Sequence, residues 1–166
     1  LGDVYKSRLR VFAADFDGDG IAELTAPNKG AQSPGPEDYA RSTPVEMYKL
    51  AGDPLSGSSW QRSELGSYSV PQNAEPVDLD GDGDMDIVVG ARGDARLVYF
   101  ENLGAGSLDF KEHAIGIYGV NLAGFNLEYT DLSGNGRLDI MGMRFGGQFK
   151  WVGQRETRRD HWKHHD

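Results

Sequence analysis

Three stretches of the chain bunch oxygen-bearing side chains at alternate positions. They are Asp15–Glu23 ("DFDGDGIAE"), Asp78–Asp86 ("DLDGDGDMD") and Asp131–Asp139 ("DLSGNGRLD"). Numbered from its first aspartate, each has oxygen donors at positions 1, 3, 5 and 9 and glycine at 4 and 6. The donors are Asp15, Asp17, Asp19 and Glu23, then Asp78, Asp80, Asp82 and Asp86, then Asp131, Ser133, Asn135 and Asp139. Alternate side chains on a tightly curled loop converge on one point, and the glycines supply the positive φ that the curl requires. Hard oxygen donors without histidine or cysteine select calcium, and less readily magnesium. The position-7 carbonyls of Ile21, Asp84 and Arg137 are the expected further ligands, which leaves the Asp84 side chain pointing outward. The third loop has two carboxylates only, so its site is expected to be weak or replaced by a hydrogen-bonded turn.

The charge distribution points the same way. The three loops hold eleven acidic side chains against one basic one, Arg137, and this accounts for the whole net charge of −9. The acidity is local, to be met by bound cations rather than spread over a polyanionic surface. No basic stripe suits nucleic acid, and no apolar run is long enough to span a bilayer. The absence of cysteine excludes disulfide staples and thiolate zinc sites. An EF-hand also opens D-x-D-x-D-G, but it needs a bidentate glutamate at position 12. Ala26, Val89 and Gly142 stand there, so the EF-hand reading fails.

The elements around the loops are strands. Each loop is preceded by one ("LRVFAAD", "AEPVD", "LEYTD") and followed by another ("AELTAP", "MDIVVGA", "LDIMGM"). A third ("PVEMYKL", "ARLVYFENL", "GQFKWVG") and an aromatic-centred fourth ("SSWQRSEL", "LDFKEHAI", "DHWKHH") complete a unit. The unit repeats after 63 and then 53 residues. Four-stranded units of about this size are propeller blades. The predicted fold is therefore all-β, a β-propeller of antiparallel four-stranded blades over residues 8–65, 72–117 and 124–166.

"DLDGDGDMDIVVGA" followed by "LVYFENLGAGSLDFKEHAIG" resembles the FG-GAP or VCBS repeat. The resemblance implies a calcium-loop β-propeller of the kind found in integrin α-subunit heads, fungal lectins and secreted microbial proteins, and hence an extracellular place. Propellers close with four to eight blades, and three are present. The expectation is a fragment of a larger propeller, which the opening Leu1 fits, ahead of a ring of identical copies.

Outside the repeat, the largest departure is the insertion "NKGAQSPGPEDYARSTP", Asn28 to Pro44. Long loops on a rigid scaffold carry ligand contacts. Lys29, Gln32, Tyr39 and Arg41 offer the polar and aromatic mixture that suits carbohydrate, and His113 is a further candidate. The equivalent link in the second unit is only "RGD", Arg92 to Asp94, a match short enough to arise by chance. His161, His164 and His165 fall on both faces of a strand and read as surface residues rather than a zinc site. Two function classes follow. The first is a calcium-stabilised binding module presenting loops to carbohydrate or protein. The second is the propeller portion of a secreted polysaccharide lyase or sugar dehydratase, with His113, Lys29 and Tyr39 as candidate catalytic groups.

Overall fold

The computed structural model describes residues 10–104, 106–115, 126–143, 149–154 and 162–165, the last two segments and Met143 by their backbone. It contains three antiparallel sheets of four strands each, every sheet built from strands consecutive in sequence. Sheet one comprises β1 (Phe12–Ala14), β2 (Glu23–Pro27), β3 (Thr43–Leu50) and β4 (Trp60–Tyr68). Sheet two comprises β5 (Pro71–Val77), β6 (Asp86–Ala91), β7 (Arg96–Asn102) and β8 (Phe110–Ile115). Sheet three comprises β9 (Leu127–Thr130), β10 (Asp139–Met143), β11 (Phe149–Gln154) and β12 (Trp162–His165). Each acidic loop joins the first two strands of its sheet. The expected strands are all found, with β4 and β5 extended towards each other and separated by two residues. His161 lies outside the described residues, and β12 places only the backbone of His164 and His165.

Side-chain alternation explains how the sheets stack. Successive residues of a strand point to opposite faces. On β6, Ile87, Val89 and Ala91 join Val45, Met47 and Tyr68 of sheet one in one apolar core. Val88 points the other way, into a second core with Leu127 of β9 and Ile140 of β10. On β7, Val98 and Phe100 serve the first core, and Leu97 and Tyr99 the second. Sheet two is therefore covered on both faces, which is why β6 and β7 read as nearly unbroken apolar runs. β4, at the edge of sheet one, carries exposed Gln61, Arg62 and Glu64 instead, the polar cover expected of an edge strand.

The first strands of the three sheets are also tied by polar contacts. Arg10, just before β1, donates to Asn73 Oδ1 (3.2 Å) and to Asn126 Oδ1 (2.5 Å), and stands 3.6 Å from Glu75 on β5. Tyr129 on β9 donates its hydroxyl to the other oxygen of Glu75 (3.3 Å). Thr25 Oγ1 on β2 donates to Ala74 O (2.7 Å), a buried bridge between sheets one and two.

Two outcomes follow from this packing. Ile87→Ala removes a side chain with no exposed surface, and is expected to lose about 2–5 kcal/mol in urea denaturation, against under about 0.5 kcal/mol for Gln61→Ala. Burial raises the Glu75 carboxyl from 4.5 to about 6, opposed by Arg10 and Tyr129. A carboxyl held above its unfolded value stabilises the fold through its bound proton. That contribution is complete below pH 4.5 and is lost as pH rises through about 6. Glu75→Gln is therefore expected to remove a decline of up to about 2 kcal/mol across that window, read as a flatter stability–pH curve than that of the unmodified chain.

Candidate metal centres

The three acidic loops share one hydrogen-bonded frame. The position-1 aspartate accepts the N–H of the glycine at position 6: Gly20 to Asp15 (2.9 Å), Gly83 to Asp78 (3.1 Å) and Gly136 to Asp131 (2.7 Å). The position-9 carboxylate accepts the N–H of residue 2: Phe16 to Glu23 (3.0 Å), Leu79 to Asp86 (2.9 Å) and Leu132 to Asp139 (2.9 Å). The position-5 side chain accepts the N–H of residue 7: Ile21 to Asp19 (2.8 Å), Asp84 to Asp82 (3.0 Å) and Arg137 to Asn135 (2.9 Å). The glycines earn their places through the backbone alone. In loop two, Gly81 and Gly83 have φ of 80° and 99°, yet an added Cβ would meet nothing within 4 Å. Substitution there is opposed by conformation, not by space.

Carboxylates do converge. Oxygens of Asp78, Asp80 and Asp86 lie within 4.8 Å of one another, as do those of Asp15, Asp17 and Asp19. Loop three, with Asp131 and Asp139 as its only carboxylates, forms no such group among the described residues. Ser133 there donates its hydroxyl to Asp131 (3.4 Å) and its N–H to Asp139 (2.8 Å). The donor set of loop two is wholly oxygen and strongly anionic, and it fits a hard divalent cation. Neither Asp82 nor Asp84 belongs to that converging group, and the Asp84 carboxylate lies on the side of Gly104.

Asp86 anchors loop two to the body of the sheet. Its Oδ1 accepts the Asn102 N–H (2.8 Å), and its Oδ2 accepts the Leu79 N–H and, at 3.3 Å, the Tyr99 hydroxyl. Burial raises its carboxyl to about 6, against the pull of the Asn102 and Leu79 N–H groups. Nearby bound positive charge would reverse that shift.

Two residues of this region lie outside the loop motif. Asn102, at the end of β7, donates its side-chain amide to Phe16 O of loop one (2.8 Å) and Met85 O of loop two (3.1 Å). Gly106 N–H adds a bond to Asp17 O (3.0 Å), so the β7–β8 link clasps loop one from the neighbouring sheet. Lys49, at the end of β3, directs its ammonium at Asp17 Oδ2, Asp19 Oδ2 (2.8 Å) and Glu23 Oε1 (3.6 Å). Its hydrogen bond lowers the Asp19 carboxyl, and those to Asp17 and Asp19 push the ammonium well above its ordinary range. A comparison of the third strands holds the signal for Lys49. "MYKL" and "YFEN" align with Lys49 opposite Glu101, an inversion of charge beside one loop only.

The insertion is an ordered structure. It carries a helical turn, α1 (Pro36–Tyr39), closed by Asp38, whose Oδ2 accepts the Gly35 N–H (3.0 Å) and whose Oδ1 accepts from Arg41 (2.6 Å). Arg41 is thus tied to Asp38, Gln32 is exposed, and Lys29 is buried with its ammonium lowered by that burial and by the charge of Arg92. Tyr39 is 38% exposed, with the Arg92 guanidinium 5.6 Å from its ring centroid. Asp94 accepts the Ser69 N–H (3.0 Å), and a Cβ on Gly93 would stand 1.9 Å from Ser69 Oγ. The "RGD" triplet is accordingly a packed turn, with its arginine and aspartate both engaged. His113 is elsewhere, on β8, where Nε2 pairs with Glu101 (2.7 Å) and the ring stacks on Tyr99 at 5.4 Å.

Asn102→Ala would leave the carbonyls of Phe16 and Met85 without this donor, and is expected to cost about 1–3 kcal/mol by urea denaturation. An unchanged midpoint would mean that the clasp between the loops is not held by this amide.

Residues 78–142, from the first aspartate of loop two to Gly142 on β10, match the family model described as an FG-GAP-like repeat. No curated protein and no solved structure matched the chain.

Proposed function

We propose, from the FG-GAP-like repeat that this chain carries, that it is part of a calcium-stabilised β-propeller acting as a non-catalytic binding module outside the cell. The observation that carries this reading is the convergence of Asp78, Asp80 and Asp86 within the matched repeat. Asp82 and the Asp84 carbonyl complete the proposed loop-two set. Loop one has the same positions filled, by Asp15, Asp17, Asp19, Glu23 and the Ile21 carbonyl, but the Lys49 ammonium already faces three of those carboxylates. Asp131, Ser133, Asn135, Asp139 and the Arg137 carbonyl form a weak set in loop three. Calcium is favoured over magnesium because flexible all-oxygen sites with many ligands suit the larger ion. When bound, the ion supplies the positive charge that these carboxylates need and cross-links the first hairpin of the sheet. Because the ion binds the folded loop, its binding energy becomes folding energy.

Three sheets of this kind are proposed as blades, completed by further blades or by copies of the chain. The proposed ligand is a carbohydrate or a protein. It would meet the face formed by the insertion and the Arg92–Ala95 turn, where Tyr39 is partly exposed beside Arg92 and Gln32 is open to solvent. Aromatic rings next to planar polar groups are suited to sugar faces and to protein side chains alike.

Asp80→Ala together with Asp82→Ala is expected to lower the thermal midpoint in calcium and to change it little in EDTA. Equal losses in both media would assign these aspartates to the hydrogen-bonded frame and remove the metal from the reading.

A further inference from the structure

We infer that loop one carries its own cation: the Lys49 ammonium stands where a divalent ion would sit, and this loop closes without metal. The inference deepens the calcium reading and rests on it only for the ion count. Position 3 and position 5 of the motif, two of the four that should give an ion side-chain oxygens, are Asp17 and Asp19 in this loop. Both direct their Oδ2 atoms at Lys49 Nζ, at 2.8 Å for Asp19. A second observation is independent of those pairs. Glu23 has no exposed surface, and its Oε1 makes no hydrogen bond. Its facing charge is Lys49 Nζ, 3.6 Å away. A buried carboxylate oxygen in that state is costly unless a positive charge faces it. Lys49 faces all three carboxylates at once, as a metal ion would.

The register position of Lys49 holds no base in the other two sheets. Strand pairing sets Leu24 opposite Tyr48, which brings Lys49 beside Glu23 at the next step. The same step in sheet two follows Ile87 opposite Phe100 and brings Glu101 beside Asp86. In sheet three it follows Ile140 opposite Val152 and brings Gly153 beside Asp139. An ammonium is a compact point charge with three donors, so it can bridge several carboxylates without the fixed geometry of a guanidinium. A divalent ion entering loop one must displace it against like-charge repulsion. Metal dependence is then concentrated in loop two, which has five aspartates and no base.

The test counts calcium ions by native mass spectrometry and follows thermal unfolding in EDTA. The proteins are the unmodified chain, Lys49→Met, Asp17→Asn and the double variant. Lys49→Met is expected to hold one more calcium ion than the unmodified chain, and adding Asp17→Asn is expected to remove that ion. Asp17→Asn alone should leave the ion count of the unmodified chain unchanged. In EDTA the two single variants should each lower the midpoint, with the double variant no worse than the poorer single one. A calcium ion lost from the unmodified chain on Asp17→Asn would overturn the inference, and this arm stands even if Lys49→Met fails to fold. So would a folded Lys49→Met that gains no ion while the unmodified chain holds one removable by Asp80→Ala with Asp82→Ala. That result would leave the calcium reading of loop two intact. Conversely, an unmodified chain with no calcium and a Lys49→Met with one would support the lysine closure and sink the loop-two reading.

Discussion

Everything in this chain is arranged around the repulsion of carboxylates packed into a nine-residue turn. Two like charges about 4 Å apart repel by about 1 kcal/mol in water, and by about 4 kcal/mol near a protein surface. A loop holding four or five of them does not stay curled without positive charge or oriented N–H dipoles. The frame uses the dipoles first: backbone N–H groups at positions 2, 6 and 7 point at side chains 9, 1 and 5 in all three loops. What remains is met differently in each. Loop one has Lys49, loop three has two carboxylates, and loop two brings Asp78, Asp80 and Asp86 together. That gradation is a reason to treat the three repeats as chemically distinct despite their common backbone.

The position-9 carboxylate is where loop chemistry and sheet packing meet. It opens the second strand of each sheet, so its backbone belongs to the ladder while its side chain belongs to the loop. Asp86 shows the consequence. One oxygen is held by Asn102 at the far end of β7 and the other by Leu79 inside the loop. Asp86 thus links loop two to the third strand, and the Asn102 amide extends the link to loop one of the neighbouring sheet. Phe16 and Leu79, which take part in these bonds, also belong to the two apolar cores, so loop and core meet at these residues.

Much of this was legible in the sequence because the signals are local. Alternating donors, paired glycines and period-two strands each lie within a dozen residues, and they gave the sheets, their order and the loop frame. The misses are long-range or internal to the insertion. Lys49 stands about thirty residues from the aspartates it meets, and Asn102 86 residues from Phe16, so neither could be read from the loop motif itself. Of the candidate ligand residues, Tyr39, Gln32 and Arg41 are exposed, Arg41 while also paired with Asp38, whereas Lys29 is buried and His113 belongs to sheet two. A polar residue in a long insertion looks the same in sequence whether it closes the turn or faces solvent. Only its hydrogen bonds separate the two.

The opposite ends of the sheets then divide the labour. Each acidic loop joins the first and second strands, and each link between the second and third strands must emerge at the other end. The β7–β8 link returns to the loop end and clasps loop one, which commits that end to holding the sheets together. At the far end the insertion and the Arg92–Ala95 turn meet through Ser69, whose hydroxyl donates to Tyr39 O (2.9 Å). Among the described residues, no group of converging carboxylates lies at that end. Its contacts are those of a packed turn and a helical turn instead, with Asp38 closing α1 and Asp94 accepting the Ser69 N–H.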